Sequence, residues 1–152
     1  MTHSDNPSKI IPNSFQTPNF YVDECMRYLT GNEVKCLVFI ARKTFGWQKR
    51  SDRIAKSQIV TATGLSNETI DKVMATLVDL GLVLRLSEND GANHGVEWAL
   101  QMDSSLIRFD LMEQRLSDQE NNNRRKTSKA RQKRKDKGGG VVEHTPLENA
   151  SV

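Results

Sequence analysis

The segment from 57 to 80 constrains the fold most strongly, because it holds two helix patterns separated by very few residues. Ser57 can cap a short first helix, Thr63-Gly64-Leu65 forms a tight turn, and Ser66 opens a second helix. The apolar residues of the second helix recur at spacings of three and four, as a helix with one buried face requires. They are Ile70, Val73, Met74, Leu77 and Leu80. Two helices joined in this way predict a helix-turn-helix.

Two short strand patterns follow this pair of helices. Gly81 suits the C-terminal cap of the second helix, residues 82–86 are mostly apolar, and Val96, Trp98 and Leu100 alternate with other residues. The glycine-containing stretch between the strands predicts a hairpin. A helix-turn-helix followed directly by a hairpin predicts a winged helix, a mainly α fold with a small β-hairpin as its wing.

Three further helices are expected around this unit. The first runs from Thr17 to about Leu29, with Thr17 as its cap. Thr30 and Glu33 stand at capping-box spacing and open a central helix that ends at Gly46, where we expect Trp47 to pack. A last amphipathic helix over 104–116 either caps the core or pairs two subunits as a homodimer.

Charge is strongly segregated along the chain. The net charge is +3, but residues 124–137 contain nine Lys or Arg against the single acid Asp136, so the remaining residues carry −5. From Ser117 onward apolar periodicity is lost, which predicts a disordered basic tail. We therefore expect a flexible arm over 1–16, a DNA-binding domain over 17–116 and a disordered tail over 117–152.

Composition excludes several function classes. Cys25 and Cys36 have no metal-ligand spacing to each other or to a histidine, and they are expected to be reduced thiols near the core. There is no phosphate-binding glycine loop or nucleophile motif, so we expect neither an enzyme nor a cofactor. There is also no apolar stretch of membrane-spanning length and no signal peptide. The sequence predicts a soluble cytoplasmic protein of a bacterial host cell, associated with DNA.

Three groups of residues are the candidate DNA contacts. Cations just before the helix-turn-helix would neutralise phosphates: Arg42, Lys43, Lys49, Arg50, Arg53 and Lys56, together with Ser57. Exposed residues at the start of the second helix would reach base edges in the major groove: Ser66, Asn67, Glu68, Thr69 and Lys72. The tail would attract DNA non-specifically through Arg124, Arg125, Lys126, Lys129, Arg131, Lys133, Arg134, Lys135 and Lys137.

The second helix is unexpectedly acidic for a DNA-reading element. Glu68, Asp71 and Asp79 outweigh Lys72 and leave it at −2. Two explanations stay open at this stage. An acid can accept a hydrogen bond from a cytosine amine, or the helix can sit shallowly while the basic segment and the wing provide most of the binding.

Several short stretches together resemble the N-terminal origin-binding domain of phage replication initiators of the lambda O type. They are L-T-G-N-E from Leu29, A-R-K-T-F-G-W-Q-K from Ala41, D-R-I from Asp52, S-Q from Ser57 and T-G-L-S from Thr63. The resemblance covers about 15–86 and implies a winged helix that binds repeated origin sites and helps to recruit the host replicative helicase through a loader.

Initiators of this type usually continue into a sizeable C-terminal region. Here the domain is followed by the basic tail and by a terminal peptide that begins at Val141 and ends at Val152. Either that peptide docks on a helicase or a helicase loader, or the protein binds DNA without loading anything.

The leading hypothesis is therefore a sequence-specific double-stranded DNA-binding protein of a phage or mobile element that binds a replication origin. One alternative is a transcriptional regulator, repressor or activator, of the same element, because a winged helix fits an operator as well as an origin. Another is a protein-interaction module in which only the tail touches nucleic acid.

Overall fold

The computed structural model describes residues 14–88 and 95–138. The chain divides into two compact units, Met1–Arg115 and Leu116–Val152. The described part of the first unit is mainly helical and contains a small three-stranded antiparallel sheet. The expected mainly α composition with a hairpin is therefore confirmed, and the sheet has one strand more than the sequence predicted.

The first helical segment is irregular. Helical backbone begins at Asn19, two residues after the expected cap Thr17, and continues as a π-helical turn over Tyr21–Cys25 and a 3-10 turn over Met26–Tyr28. The Tyr21 hydroxyl lies within 2.9 Å of the Leu82 carbonyl oxygen and 2.6 Å of the Gln101 carbonyl oxygen, and it is buried. These two long-range contacts fix the position of the segment. Tertiary contacts of this kind can override the regular α-helical geometry that local propensity favours.

Helix α1, Gly31–Thr44, begins as the sequence predicted. The Thr30 hydroxyl accepts a hydrogen bond from the Glu33 amide, and the Glu33 carboxylate accepts one from the Thr30 amide. Its end differs, because a 3-10 turn over Phe45–Trp47 carries the chain past Gly46 to the left-handed residue Gln48. The expected packing of Trp47 was wrong, since its side chain is 60% exposed.

Helices α2, Lys56–Thr63, and α3, Asn67–Asp79, form the predicted pair. Ser66 caps α3 as expected, but Ser57 does not cap α2. The cap position of α2 is Ala55, whose amide donates to the Gln58 side chain at 3.0 Å. A glutamine three residues into the helix can satisfy this amide even when the cap residue has no polar side chain.

The sheet has the strand order β1–β3–β2, with β1 Ser51–Ile54, β2 Val83–Arg85 and β3 Val96–Leu100. Strand β3 pairs antiparallel with both neighbours; Ile54 lies opposite Val96, and Val83 lies opposite Leu100. Strand β1 was not predicted, because its four residues are mostly charged or polar. The β3 pairing, which is remote in sequence, stabilises it.

Gly95 is required where β3 approaches the end of β1. Its φ is +74°, a conformation that side chains with a Cβ rarely adopt. A Cβ at this position would also overlap the backbone of Ile54 and Ala55. The backbone at the end of β1 therefore lies directly against the residue that precedes β3.

The core lies between the helices and the sheet. The largest fully buried side chains include residues from α1, α3, β1 and the turn after α3: Ile40, Ile54, Ile70, Leu77, Leu80 and Leu82. Cys25 and Cys36 are free and buried within it, as the sequence predicted. Burial raises the pKa of each thiol to about 11, so both stay protonated at neutral pH.

The last helix corrects two expectations. A 3-10 turn over Ser104–Leu106 precedes it, and α4 spans Phe109–Gly138 instead of ending at Leu116. The disorder expected from Ser117 was therefore wrong up to Gly138. Lys, Arg, Gln, Glu and Ala are strong helix formers, so their propensity forms a helix although residues 117–138 are all exposed.

Residues 1–13 of the expected arm, residues 89–94 of the expected hairpin turn and the terminal peptide over 141–152 lie outside the described residues. In the part of the chain that is described, no helix is long and apolar enough to cross a membrane.

Candidate nucleic-acid interface

The turn between α2 and α3 is fixed by local hydrogen bonds. Gly64 adopts a left-handed conformation, and its amide donates to the Val60 carbonyl at 2.9 Å. The Thr63 hydroxyl donates to the Ile59 carbonyl and accepts a hydrogen bond from the Leu65 amide. The start of α3 is therefore held in one direction relative to α2.

The first turn of α3 contains two of the predicted base-contact hydroxyls, and both are already engaged. The Ser66 hydroxyl accepts from the Thr69 amide at 3.2 Å, and the two side-chain oxygens lie 2.9 Å apart. Asn67 is exposed, and its side-chain amide makes no hydrogen bond among the described residues. Asn67 is thus the predicted base-contact residue with the most unused hydrogen-bonding capacity.

Two of the three acids of α3 are paired with lysines in the folded protein, one of them with a lysine from outside the helix. The Lys72 ammonium lies 2.7 Å from the Glu68 carboxylate, one turn earlier on the same helix. The Asp71 carboxylate lies 2.6 Å from the Lys56 ammonium at the start of α2. Asp79, at the far end of the helix, has no cationic partner among the described residues. The net charge of −2 read from the sequence therefore overstates the negative charge near the α3 N-terminus.

The predicted phosphate-contact residues come from four successive elements. Arg42 and Lys43 lie in the last turn of α1, Arg53 lies in β1, and Lys56 and Ser57 lie in the first turn of α2. The remaining two, in the connection between α1 and β1, are Lys49 and Arg50. All of them are exposed except the half-buried Lys43. Lys49 pairs with Asp52 at 3.3 Å and Lys56 with Asp71 at 2.6 Å, so two of these charges are partly compensated.

Arg42 and Trp47 form a pair that sequence reasoning missed. The Arg42 guanidinium lies 5.1 Å from the centre of the Trp47 ring and 5.9 Å from the centre of the Phe15 ring. Both distances are within the range of cation–π attraction. The spacing of five residues places Arg42 in the last turn of α1 and Trp47 in the following 3-10 turn, and only the geometry of that turn brings them together.

A partly buried ion pair was also missed. The Arg115 guanidinium donates to the Glu33 carboxylate at 2.6 Å, across 82 residues of sequence. The Glu33 side chain is 6% exposed, and the same carboxylate caps α1 through the Thr30 amide. No local pattern could have indicated this pair, because its two residues are brought together by the tertiary fold.

The nine cations predicted for non-specific attraction lie on α4, in the second unit. All are exposed, and none forms an ion pair with another described residue. The acid among them, Asp136, accepts a hydrogen bond from Gln132 at 3.4 Å. The segment is thus a helix with positive charge on every side.

Comparison with known proteins gives one family and one relative. Residues 17–98, more than half of the chain, match the family described as bacteriophage replication protein O. Replication protein O of Escherichia phage lambda is 33% identical over 73 residues, which are 47% of this chain and 22% of that protein. No solved structure matches. The matched region runs from the first helical segment to β3, and this chain belongs to the bacteriophage replication protein O family.

Proposed function

We propose that this chain is a sequence-specific double-stranded DNA-binding protein that binds a phage replication origin during the initiation of replication. In this proposal α2 and α3 form a helix-turn-helix, and the β2–β3 hairpin is the wing of a winged helix. Family membership supports the replication role. The terminal peptide as a docking site for a helicase or helicase loader, and the homodimer, stay predictions.

The exposed first turn of α3, next to the basic segment over 42–56, is the observation that carries this proposal. The second helix of a helix-turn-helix enters the major groove with its N-terminal residues towards the bases. Asn67 stands at that end and is exposed. An asparagine amide can both accept from and donate to an adenine edge, which gives it sequence-reading capacity.

Charge pairing supports approach to the phosphate backbone. Lys56 offsets Asp71, and Lys72 offsets Glu68, so that α3 presents few uncompensated acids at its start. Both pairs are exposed, and exposed pairs contribute little stability, about 0–1 kcal/mol. The pairs therefore act mainly by reducing the repulsion between the start of α3 and the phosphates.

Footprinting of the element's own DNA with the full chain tests the proposal. We expect protected, repeated sites within the replication origin. Protection confined to promoters would favour the transcriptional regulator instead, and no discrete protection at any salt concentration would contradict sequence-specific binding.

Asn67→Ala tests the reading element, and Asn32→Ala is a matched control. Both asparagines are exposed and lie in the first turn of a helix. Loss of one base contact costs about 1–3 kcal/mol. We expect Asn67→Ala to lower the affinity for the protected site about 5- to 100-fold and to leave non-specific binding unchanged. Equal affinities for the two variants would contradict a base-reading role for Asn67.

A further inference from the structure

The exposed Trp47 ring is an unexpected feature of a turn that is otherwise well fixed. The indole is 60% exposed, although it follows the central helix of the domain. Its backbone is held on both sides, because the Gln48 amide donates to the Phe45 carbonyl and the Lys49 amide donates to the Thr44 carbonyl, each at 2.9 Å. The ring is therefore presented from an ordered turn.

A cation lies beside the ring. The Arg42 guanidinium is 5.1 Å from the ring centre, and two further exposed cations, Lys49 and Arg50, follow in the chain. A guanidinium has five N–H donors, so one that lies beside an aromatic ring can still donate to a phosphate. A flat apolar ring and a phosphate donor thus occur side by side.

Gly46 permits this arrangement. A Cβ at position 46 would come within 2.7 Å of Arg42 Nη1 and 3.1 Å of its Cδ. Any larger residue would displace the guanidinium from its place beside Trp47. The order Phe45-Gly46-Trp47 is therefore suited to holding arginine and tryptophan together.

From this geometry we propose that Arg42 and Trp47 form a binding site for an unpaired nucleotide of single-stranded DNA, separate from the proposed duplex-reading surface of α3. The base stacks on the Trp47 ring and the adjoining phosphate accepts from Arg42. A single strand fits better than a duplex, because paired bases are stacked on each other and offer no free face. It also fits better than an apolar protein partner, because the Arg42 guanidinium lies beside the ring.

Single-stranded oligonucleotides distinguish base stacking from bulk charge attraction. The full chain is titrated with a labelled eight-nucleotide oligo-dT and with an abasic strand of equal length, which has the same phosphates and no bases. Stacking of a base on an aromatic side chain contributes about 1–3 kcal/mol, and 1.4 kcal/mol is a tenfold change in affinity. We expect Trp47→Ala to weaken oligo-dT binding about tenfold or more, Trp47→Phe to weaken it less, and neither to alter abasic binding.

Leu106→Ala is the matched control, because Leu106 is similarly exposed, at 58%, and lies in another 3-10 turn. It should bind both strands as the unaltered protein does. Oligo-dT should also quench the tryptophan fluorescence, and this quenching should be absent in Trp47→Phe because Trp98, the other tryptophan, is buried. Gly46→Ala should weaken oligo-dT binding in the same direction.

Equal oligo-dT affinity of Trp47→Ala and the unaltered protein would overturn the proposal. An equal loss on the abasic strand would also overturn it, since the effect would then come from charge or folding. Footprinting of duplex DNA is measured in parallel. If the origin is protected but Trp47→Ala binds oligo-dT as the unaltered protein does, only the proposed single-strand site is refuted. If Trp47→Ala weakens oligo-dT binding but the unaltered protein protects no origin site, only the proposed origin function is refuted.

Discussion

Two segments of this protein concentrate positive charge in different structural settings. Residues 42–56 carry +5 and residues 124–137 carry +8. In the first segment, cations come from a helix end, a connection, a strand and a helix start, and several are placed by an aromatic ring or a carboxylate. In the second, they are spread around one exposed helix.

The difference separates positioned charge from simple charge density. A positioned cation can contact one particular phosphate and so fix the register of the protein on DNA. Cations on all sides of a helix raise affinity for any polyanion and make it steeply dependent on salt. We therefore expect the first segment to support specific binding and the second to support general attraction.

Charge reversal should give the largest effect. Reversing four cations to Glu, namely Arg42, Lys43, Arg50 and Arg53, should lower affinity for the protected site on the order of 10³-fold. The slope of the logarithm of the binding constant against the logarithm of the salt concentration should become less steep by about 3 to 4, because four phosphate contacts are lost. The matched variant reverses Arg124, Arg125, Arg131 and Arg134, and should weaken specific and non-specific binding by the same factor. Filter binding across a salt series measures both. If the variant in 124–137 changed the ratio of specific to non-specific affinity, the distinction between the two segments would be contradicted.

Arg115→Ala should show how strongly the first unit depends on its partly buried ion pair. It leaves the Glu33 carboxylate buried without its cation, a loss of a charged hydrogen bond that costs about 2 kcal/mol. For a domain of this size the melting temperature should fall by roughly 10 °C. Arg108→Ala, which removes an exposed pair with Asp110, should change it very little. Calorimetry that finds equal shifts would contradict the importance of the buried pair.

Asp71→Asn should strengthen DNA binding. It removes the acid 2.6 Å from the Lys56 ammonium and leaves that lysine available to a phosphate. We expect a gain of about three- to tenfold at low salt, which shrinks as salt screens the charges. Asp79→Asn is the control, because that acid lies at the end of α3. Weaker binding by Asp71→Asn would mean that the pair mainly positions α2 against α3.

The smallest effect on stability is expected in α4. Ala75→Gly, at an exposed position of the packed helix α3, should cost about 1 kcal/mol and lower the melting temperature. Ser128→Gly, at an exposed position of α4, should reduce helix content measured by circular dichroism and leave the cooperative transition of the first unit in place. A comparable fall in melting temperature for Ser128→Gly would show that this part of α4 contributes to the core.

Much of the first unit was predictable because it depends on local physical chemistry. The Thr30 and Glu33 capping box, the Ser66 cap, the Gly64 turn and the β2–β3 pairing all occur as expected. Each depends on residues within a few positions of one another or on regular apolar spacing. Helix α4 was misjudged beyond Ser117, because a charged sequence without an apolar face can still favour the helix through its own propensity.

The sequence by itself determined the starts of α1 and α3, which faces are apolar and where positive charge is concentrated, since all of these follow from the order of neighbouring residues. The tertiary structure alone decided the rest. It added β1 to the sheet, joined Glu33 to Arg115, set Lys56 against Asp71 and left Trp47 exposed beside Arg42. These features require the backbone to bring particular side chains together, and no local spacing rule fixes those distances.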